Sequence, residues 1–138
     1  SNHESPLRPS SFALKRIINF ANNHKKNFLK LGNINVYRDW GWAPEFSEAI
    51  FKINNNKVPD DYVVGTGKIT SLKYIVKRIF KLKEINKKFL KTNTPKSLRP
   101  ADIKKIGTNP MKIYKNLNWK SKTNIDQIIK KMLLNQLY

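Results

Sequence analysis

Apolar residues recur along this chain with helical spacing in several places. The clearest lies in SLKYIVKRIFKLK, residues 71–83, where Leu72, Ile75, Val76, Ile79 and Phe80 fall at i, i+3, i+4, i+7 and i+8. Thr70 or Ser71 stands where such a helix takes a side-chain cap. A second stripe, Phe12, Leu14, Ile17, Ile18, Phe20 and Ala21, predicts a helix capped by Ser10 or Ser11 and fading near His24. Pro44 and Pro110 occupy first-turn positions, predicting helices through EFSEAIFKI to Asn54–Asn56 and from Met111 to Trp119. A last helix, capped at Thr123 or Asn124, gathers Ile125, Ile128, Ile129, Met132 and Leu133.

Between these helices the pattern turns β-like. FLKLG (28–32) and NVYRDW (35–40) read as extended segments joined through Gly32 and Asn33, and ADIKKIG (101–107) as a short strand. DYVVGTG (61–67) reads as a strand buried on both faces. Residues 84–98 are lysine-rich, with one extended piece around Phe89 and Leu90. The sum is an α/β chain with an incomplete sheet and about five helices, a single unit that calls for something further to pack against it.

The chain has 138 residues and a formal charge of +19, from 28 basic and 9 acidic side chains. Such a balance suggests a polyanion-binding module. The composition gives a plainer cause: 23 Lys, 17 Asn and 15 Ile against 5 Arg, the bias of an AT-rich coding sequence, with lysines dispersed rather than blocked. No specific nucleic-acid partner is predicted. There is no cysteine, which agrees with a reducing compartment, and no run of about 18 apolar residues to span a membrane. The first stretch lacks the apolar segment of a signal peptide, and the missing initiator methionine fits a fragment or processed chain.

Candidate chemistry is sparse. GTGKIT (65–70) is half of a dinucleotide-binding glycine loop and reads better as a turn into a capped helix. The two histidines, His3 and His24, have no carboxylate cluster beside them, so no metal site is predicted. The chain carries no catalytic constellation of its own. Three arginine-centred loops stand out instead: NHESPLR (2–8), YRDWGW (37–42) and LRPAD (98–102). In a protein that otherwise uses Lys, a kept Arg marks a place for a planar fork, suited to phosphate or carboxylate. The structural alternative is local pairing, Arg38 with Asp39 or Glu45 and Arg99 with Asp102.

The segments SNHESPLRP, LGNINVYRDWGWAPEFSEA, PDDYVVGTG, LRPAD and NPMKIYKNLNW resemble, in order and spacing, the C-terminal part of GDP-mannose 4,6-dehydratases, members of the extended short-chain dehydrogenase/reductase superfamily. The resemblance implies a Rossmann-type fold of which this chain is the substrate-binding portion, with Ser1 just after a sheet strand. It implies a lyase that removes water from GDP-mannose with NADP, in cytoplasmic GDP-fucose biosynthesis, as a homo-oligomer. His3 and Arg8 are implied to approach the cofactor, with Arg8 suited to an extra phosphate. Asn2, Arg16, Asn33, Arg38, Arg99 and Asp102 are implied to surround the GDP portion, the arginines converging on its diphosphate. The glycine-rich NADP loop and the catalytic groups belong to an upstream Rossmann portion, so this chain alone is expected to be inactive. The chain departs from the family at Leu14-Lys15-Arg16, where a Thr-Arg-Lys triplet is common, at Asp102, where glutamate is common, and at Trp42, where other branches have histidine. A dehydratase or epimerase of another nucleotide sugar is the enzyme alternative.

Overall fold

A computed structural model of the chain describes residues 1–24, 27–92 and 103–137. In chain order the elements are β1 (Asn2–Glu4), α1 (Ala13–Asn22), β2 (Leu29–Leu31), β3 (Tyr37–Trp42), α2 (Ala43–Asn54), β4 (Ile69–Ser71), α3 (Leu72–Leu82), β5 (Leu90–Thr92), β6 (Lys105–Ile106), α4 (Met111–Leu117) and α5 (Ile125–Leu133), with one 3-10 turn at Lys87–Phe89. The α/β order and the short, incomplete sheet match the sequence reading.

β3 is the hub. β1 runs parallel to its second half, His3 opposite Gly41 and Glu4 opposite Trp42. β4 lies antiparallel along its first half, and β6 parallel to Tyr37 and Arg38 on the other edge. β2 and β5 form a separate parallel pair. Strand alternation sends Trp40 and Trp42 to one face, where α1, α3, α5 and β2 build the main core around fully buried Leu14, Ile17, Ile75, Ile79, Ile128 and Ile129. On the other face, Gly41 admits the Phe46 ring directly against the backbone. There a smaller core gathers Phe46, Ala49, Ile113 and Trp119.

Two caps follow the sequence. Ser71 accepts from Tyr74 N at the start of α3, and Asn124 and Gln127 form a reciprocal capping box on α5. The cap of α1 does not. Neither Ser10 nor Ser11 caps it; Phe12 occupies the position with no side-chain bond. Its ring is used elsewhere, under the guanidinium of Arg8.

Two strand expectations are also corrected. DYVVGTG is irregular rather than a buried strand: Val63 is half exposed, and the backbone N–H groups of Thr66 and Gly67 bond the Asp39 carboxylate instead of a neighbouring strand. Gly67 has φ +74, the left-handed conformation that brings its N–H to Asp39 at little steric cost. The first residues do not merely follow a sheet strand; Asn2–Glu4 is itself one. No helix among the described residues is long and apolar enough to cross a membrane.

Candidate functional site

The loop that leaves the carboxyl end of β1 and the helix that leaves the carboxyl end of β3 frame a cleft of about 480 Å³. Clefts beyond the carboxyl ends of parallel strands are where α/β sheets bind their ligands. Phe46 and Ala43 form the apolar floor, Leu7 and Ile50 the rim, and His3, Ser5 and Arg8 the polar wall. The His3 ring packs 5.6 Å from Phe46, and its Nδ1 lies 3.3 Å from the carbonyl of Ser1.

Arg8 is held on three sides. Nη1 donates to the carbonyl of His3 at 2.7 Å, Cζ lies 3.8 Å above the Phe12 ring, and Nε sits 3.4 Å from Oε2 of Glu4. Glu4 is 1 % exposed, and burial pushes its carboxyl up to about 7 against the smaller opposing pull of Arg8. Among the described residues neither Glu4 Oε2 nor Arg8 Nε, both buried, has a hydrogen-bond partner.

A smaller hollow of about 150 Å³ is lined by Asn2, Arg38, Asp39, Ile106 and Thr108, and Ser1 lines both it and the cleft. Arg38 donates through Nη1 to its neighbour's carbonyl, Tyr37 O, at 2.8 Å, and forms neither of the local ion pairs weighed from the sequence. The Asp39 carboxylate is fully engaged by other donors. It accepts from Thr66 N, Thr66 Oγ1 at 2.7 Å, Gly67 N at 2.9 Å and the hydroxyl of Thr108. Glu45 likewise accepts from Ser121 Oγ, Lys122 N, Thr123 N and Thr123 Oγ1, tying the start of α2 to the approach to α5.

The structure thus brings His3 and Arg8 into one cleft, and Asn2 and Arg38 into an adjoining hollow. Arg8 lines the cleft and Arg38 the hollow beside it, with Ser1 between them on the wall of both. Arg16 is exposed on the first turn of α1. Asn33 lies in the turn before β3, its Oδ1 accepting from Asn35 N. Arg99 and Asp102 lie outside the described residues. Glu4, Asp39 and Glu45 are the structurally decisive carboxylates, and sequence reasoning gave none of them its role. The only signal was negative: acids are scarce in this chain, so each one kept within a motif invites a specific use. No group of three metal-ligating side chains occurs among the described residues.

An Arg8 fork held by the His3 carbonyl and the Phe12 ring, with one terminal nitrogen lacking an acceptor among the described residues, lies beside an aromatic floor and fits a phosphate carried on a larger flat ligand. The fold is that of the sugar-nucleotide dehydratases and epimerases. The dTDP-glucose 4,6-dehydratase of Bacillus anthracis aligns with 98 % of this chain and 42 % of its own at TM-score 0.84 and 18 % identity. A UDP-glucose 4-epimerase from Thermotoga maritima aligns with 97 % and 43 % at TM-score 0.82 and 15 % identity.

Residues 1–132 match the GDP-mannose 4,6 dehydratase family, and the chain belongs to it. The GDP-mannose 4,6 dehydratase of Dictyostelium discoideum is 31 % identical across 96 % of this chain and 43 % of the relative. GDP-mannose 4,6 dehydratase 2 of Caenorhabditis elegans is 28 % identical across 99 % and 41 %. The chain therefore spans roughly two-fifths of the length of these curated relatives.

Proposed function

We propose that this chain is the C-terminal, sugar-nucleotide-binding portion of a GDP-mannose 4,6-dehydratase, a lyase that converts GDP-mannose to its 4-keto-6-deoxy product with NADP. The family match over residues 1–132 carries the reading. The cleft at the carboxyl ends of β1 and β3 supports it. A Pseudomonas aeruginosa neighbour of the same fold is complexed with NADPH, and the B. anthracis one with NAD. The bound nicotinamide would supply a reversible hydride acceptor.

In this reading His3 borders the cofactor and Arg8 meets its extra phosphate. Asn2 and Arg38 face the GDP moiety, joined by Arg16, Asn33, Arg99 and Asp102. Charge-assisted forks on the diphosphate would fix the sugar relative to the nicotinamide, which is positioning rather than bond-making. Proton-handling groups come from an upstream nucleotide-binding portion, and the exposed Leu7, Ile50 and Phe51 offer apolar surface for it to cover. The whole enzyme is cytoplasmic and homo-oligomeric, and the chain alone is inactive.

The test is turnover. Joined to its natural upstream sequence or supplied with that portion as a partner, and given NADP, the chain supports conversion of GDP-mannose; no turnover from the complete form refutes the reading. Because a neighbour of this fold binds UDP-glucose, competition among GDP-, UDP- and dTDP-sugars separates the proposal from its enzyme alternative. GDP-mannose prevails if the proposal holds.

A further inference from the structure

α3 borders a groove of about 460 Å³ that shares no residue with the cleft or the hollow. The proposed function gives it no task. Beyond α3 the chain turns back at Glu84, whose φ of 52° is left-handed, and Ile85 N bonds the carbonyl of Phe80. Nearer the start of the helix, Lys73 N bonds the carbonyl of Ile34. The floor held by these ties is apolar, made of Ile34, Val76, Phe80, Ile85 and Leu90. Every other lining residue is a lysine: Lys73, Lys77 and Lys81 of α3, and Lys87 of the 3-10 turn.

Lys73, Lys77 and Lys81 stand four apart, so the helix sets them on one face with about 6 Å between successive side chains along its axis. Like charges at that spacing cost a helix stability. The ion pairs among the described residues engage Arg8, Arg78 and Lys112, and none of these lysines. Glu84, the acid nearest to them in sequence, is exposed and does not line the groove. A lysine-rich composition accounts for exposed cations, but not for an apolar trough banked by them.

We propose that this groove docks an acidic amphipathic helix of a different polypeptide. Its carboxylates, one turn apart, meet Lys73, Lys77 and Lys81, while its apolar stripe covers Phe80, Ile85 and Leu90. The repeat selects this occupant. A lipid headgroup presents its charge at one point, whereas a helix with acids at i, i+4 and i+8 matches a ladder of about 6 Å spacing. A nucleic-acid backbone leaves the apolar floor unmatched. A second copy of this chain lacks the pattern, since no two of its 9 acidic residues stand four positions apart. The inference is independent of the sugar-nucleotide reading.

The test titrates the full chain into a fluorescein-labelled helical peptide of about five turns, with leucines on one stripe and glutamates at i, i+4 and i+8 beside it. Fluorescence anisotropy should give a Kd of about 1–10 μM at about 0.15 M salt. A peptide of the same composition with the stripe scrambled should bind about tenfold more weakly or worse. Lys77→Glu combined with Lys81→Glu should cost about tenfold, and a peptide with lysines in place of its glutamates should bind that variant better than it binds the wild type. Lys115→Glu combined with Lys120→Glu makes the same change of charge at exposed positions outside the groove, and should alter affinity less than about twofold. Equal binding of the scrambled peptide, or equal losses from the two charge-reversed variants, overturns the proposal. Vesicles of phosphatidylserine and phosphatidylcholine are the second probe. Their binding through Lys77 and Lys81, with none of the peptide, would assign the groove to a membrane surface and overturn it as well.

Discussion

Replacing Asp39 by asparagine removes a charge without removing volume, and the structure sets the size of the effect. The carboxylate is 2 % exposed and accepts from two backbone N–H groups and two hydroxyls, contributed by Thr66, Gly67 and Thr108. Asparagine keeps one carbonyl oxygen and turns an NH₂ toward donors that need an acceptor. Bonds to a charged acceptor are worth about 1.5–3 kcal/mol each, and an unmatched buried N–H costs about 1–3 kcal/mol. Part of this returns because no buried charge remains to be desolvated, so the expected net loss is about 2–4 kcal/mol. That is a large share of the roughly 5–15 kcal/mol that holds a domain together.

Urea unfolding of the chain measures it as a lower midpoint at unchanged slope. Arg38→Met is the companion, because the local-pairing alternative makes Arg38 the support of Asp39. Among the described residues Arg38 bonds its neighbour's carbonyl and no other acceptor, so its loss should cost under about 1 kcal/mol. Comparable losses from the two variants, or an Asp39→Asn chain within about 1 kcal/mol of wild type, would refute the reasoning.

Two further outcomes follow from the site. Glu4 ionises near 4.5 when exposed and near 7 in the fold, so the folded chain holds a proton that the unfolded chain has lost between those values. Its contribution to stability therefore falls as pH rises from about 4.5 to 7 and stays level above, by about 3 kcal/mol in all. The difference in unfolding free energy between wild type and Glu4→Gln should trace that curve, and a difference independent of pH would count against it. Gly41→Ala drives a methyl into the Phe46 ring. It should cost about 1–3 kcal/mol by thermal melting, with partial recovery in a Phe46→Leu background, and a neutral Gly41→Ala would disprove the close approach.

Much of the fold was legible because it depends on local spacing. The α3 stripe is buried at all five positions, and the caps at Ser71 and Asn124 fall where hydroxyl and amide side chains precede an apolar run. Where the reading failed, a distant group overrode local preference. Val63 and Val64 look like strand residues, but the carboxylate of Asp39, more than twenty residues earlier, claims the N–H groups that follow them. Ser10 and Ser11 look like caps, but Phe12 takes that place while its ring supports Arg8. The strand at Ile69–Ser71 was hidden inside what read as a helix start. In the candidate site, His3 and Arg8 were visible through the NHESPLR motif. The burial of Glu4 was not, because it arises from pairing with β3 and from packing that no neighbouring residue reveals.

β3 also acts as a bulkhead. Its tryptophans seal the chamber formed by α1, α3 and α5, while Gly41 on the reverse face opens onto the chamber of Phe46 that floors the cleft. A slip of one residue would drive indole rings into the space reserved for bare backbone, so this strand tolerates a single register. Changes on opposite sides of it should combine additively. The ligand side can then be remodelled without disturbing the compartment that supplies most of the buried apolar volume.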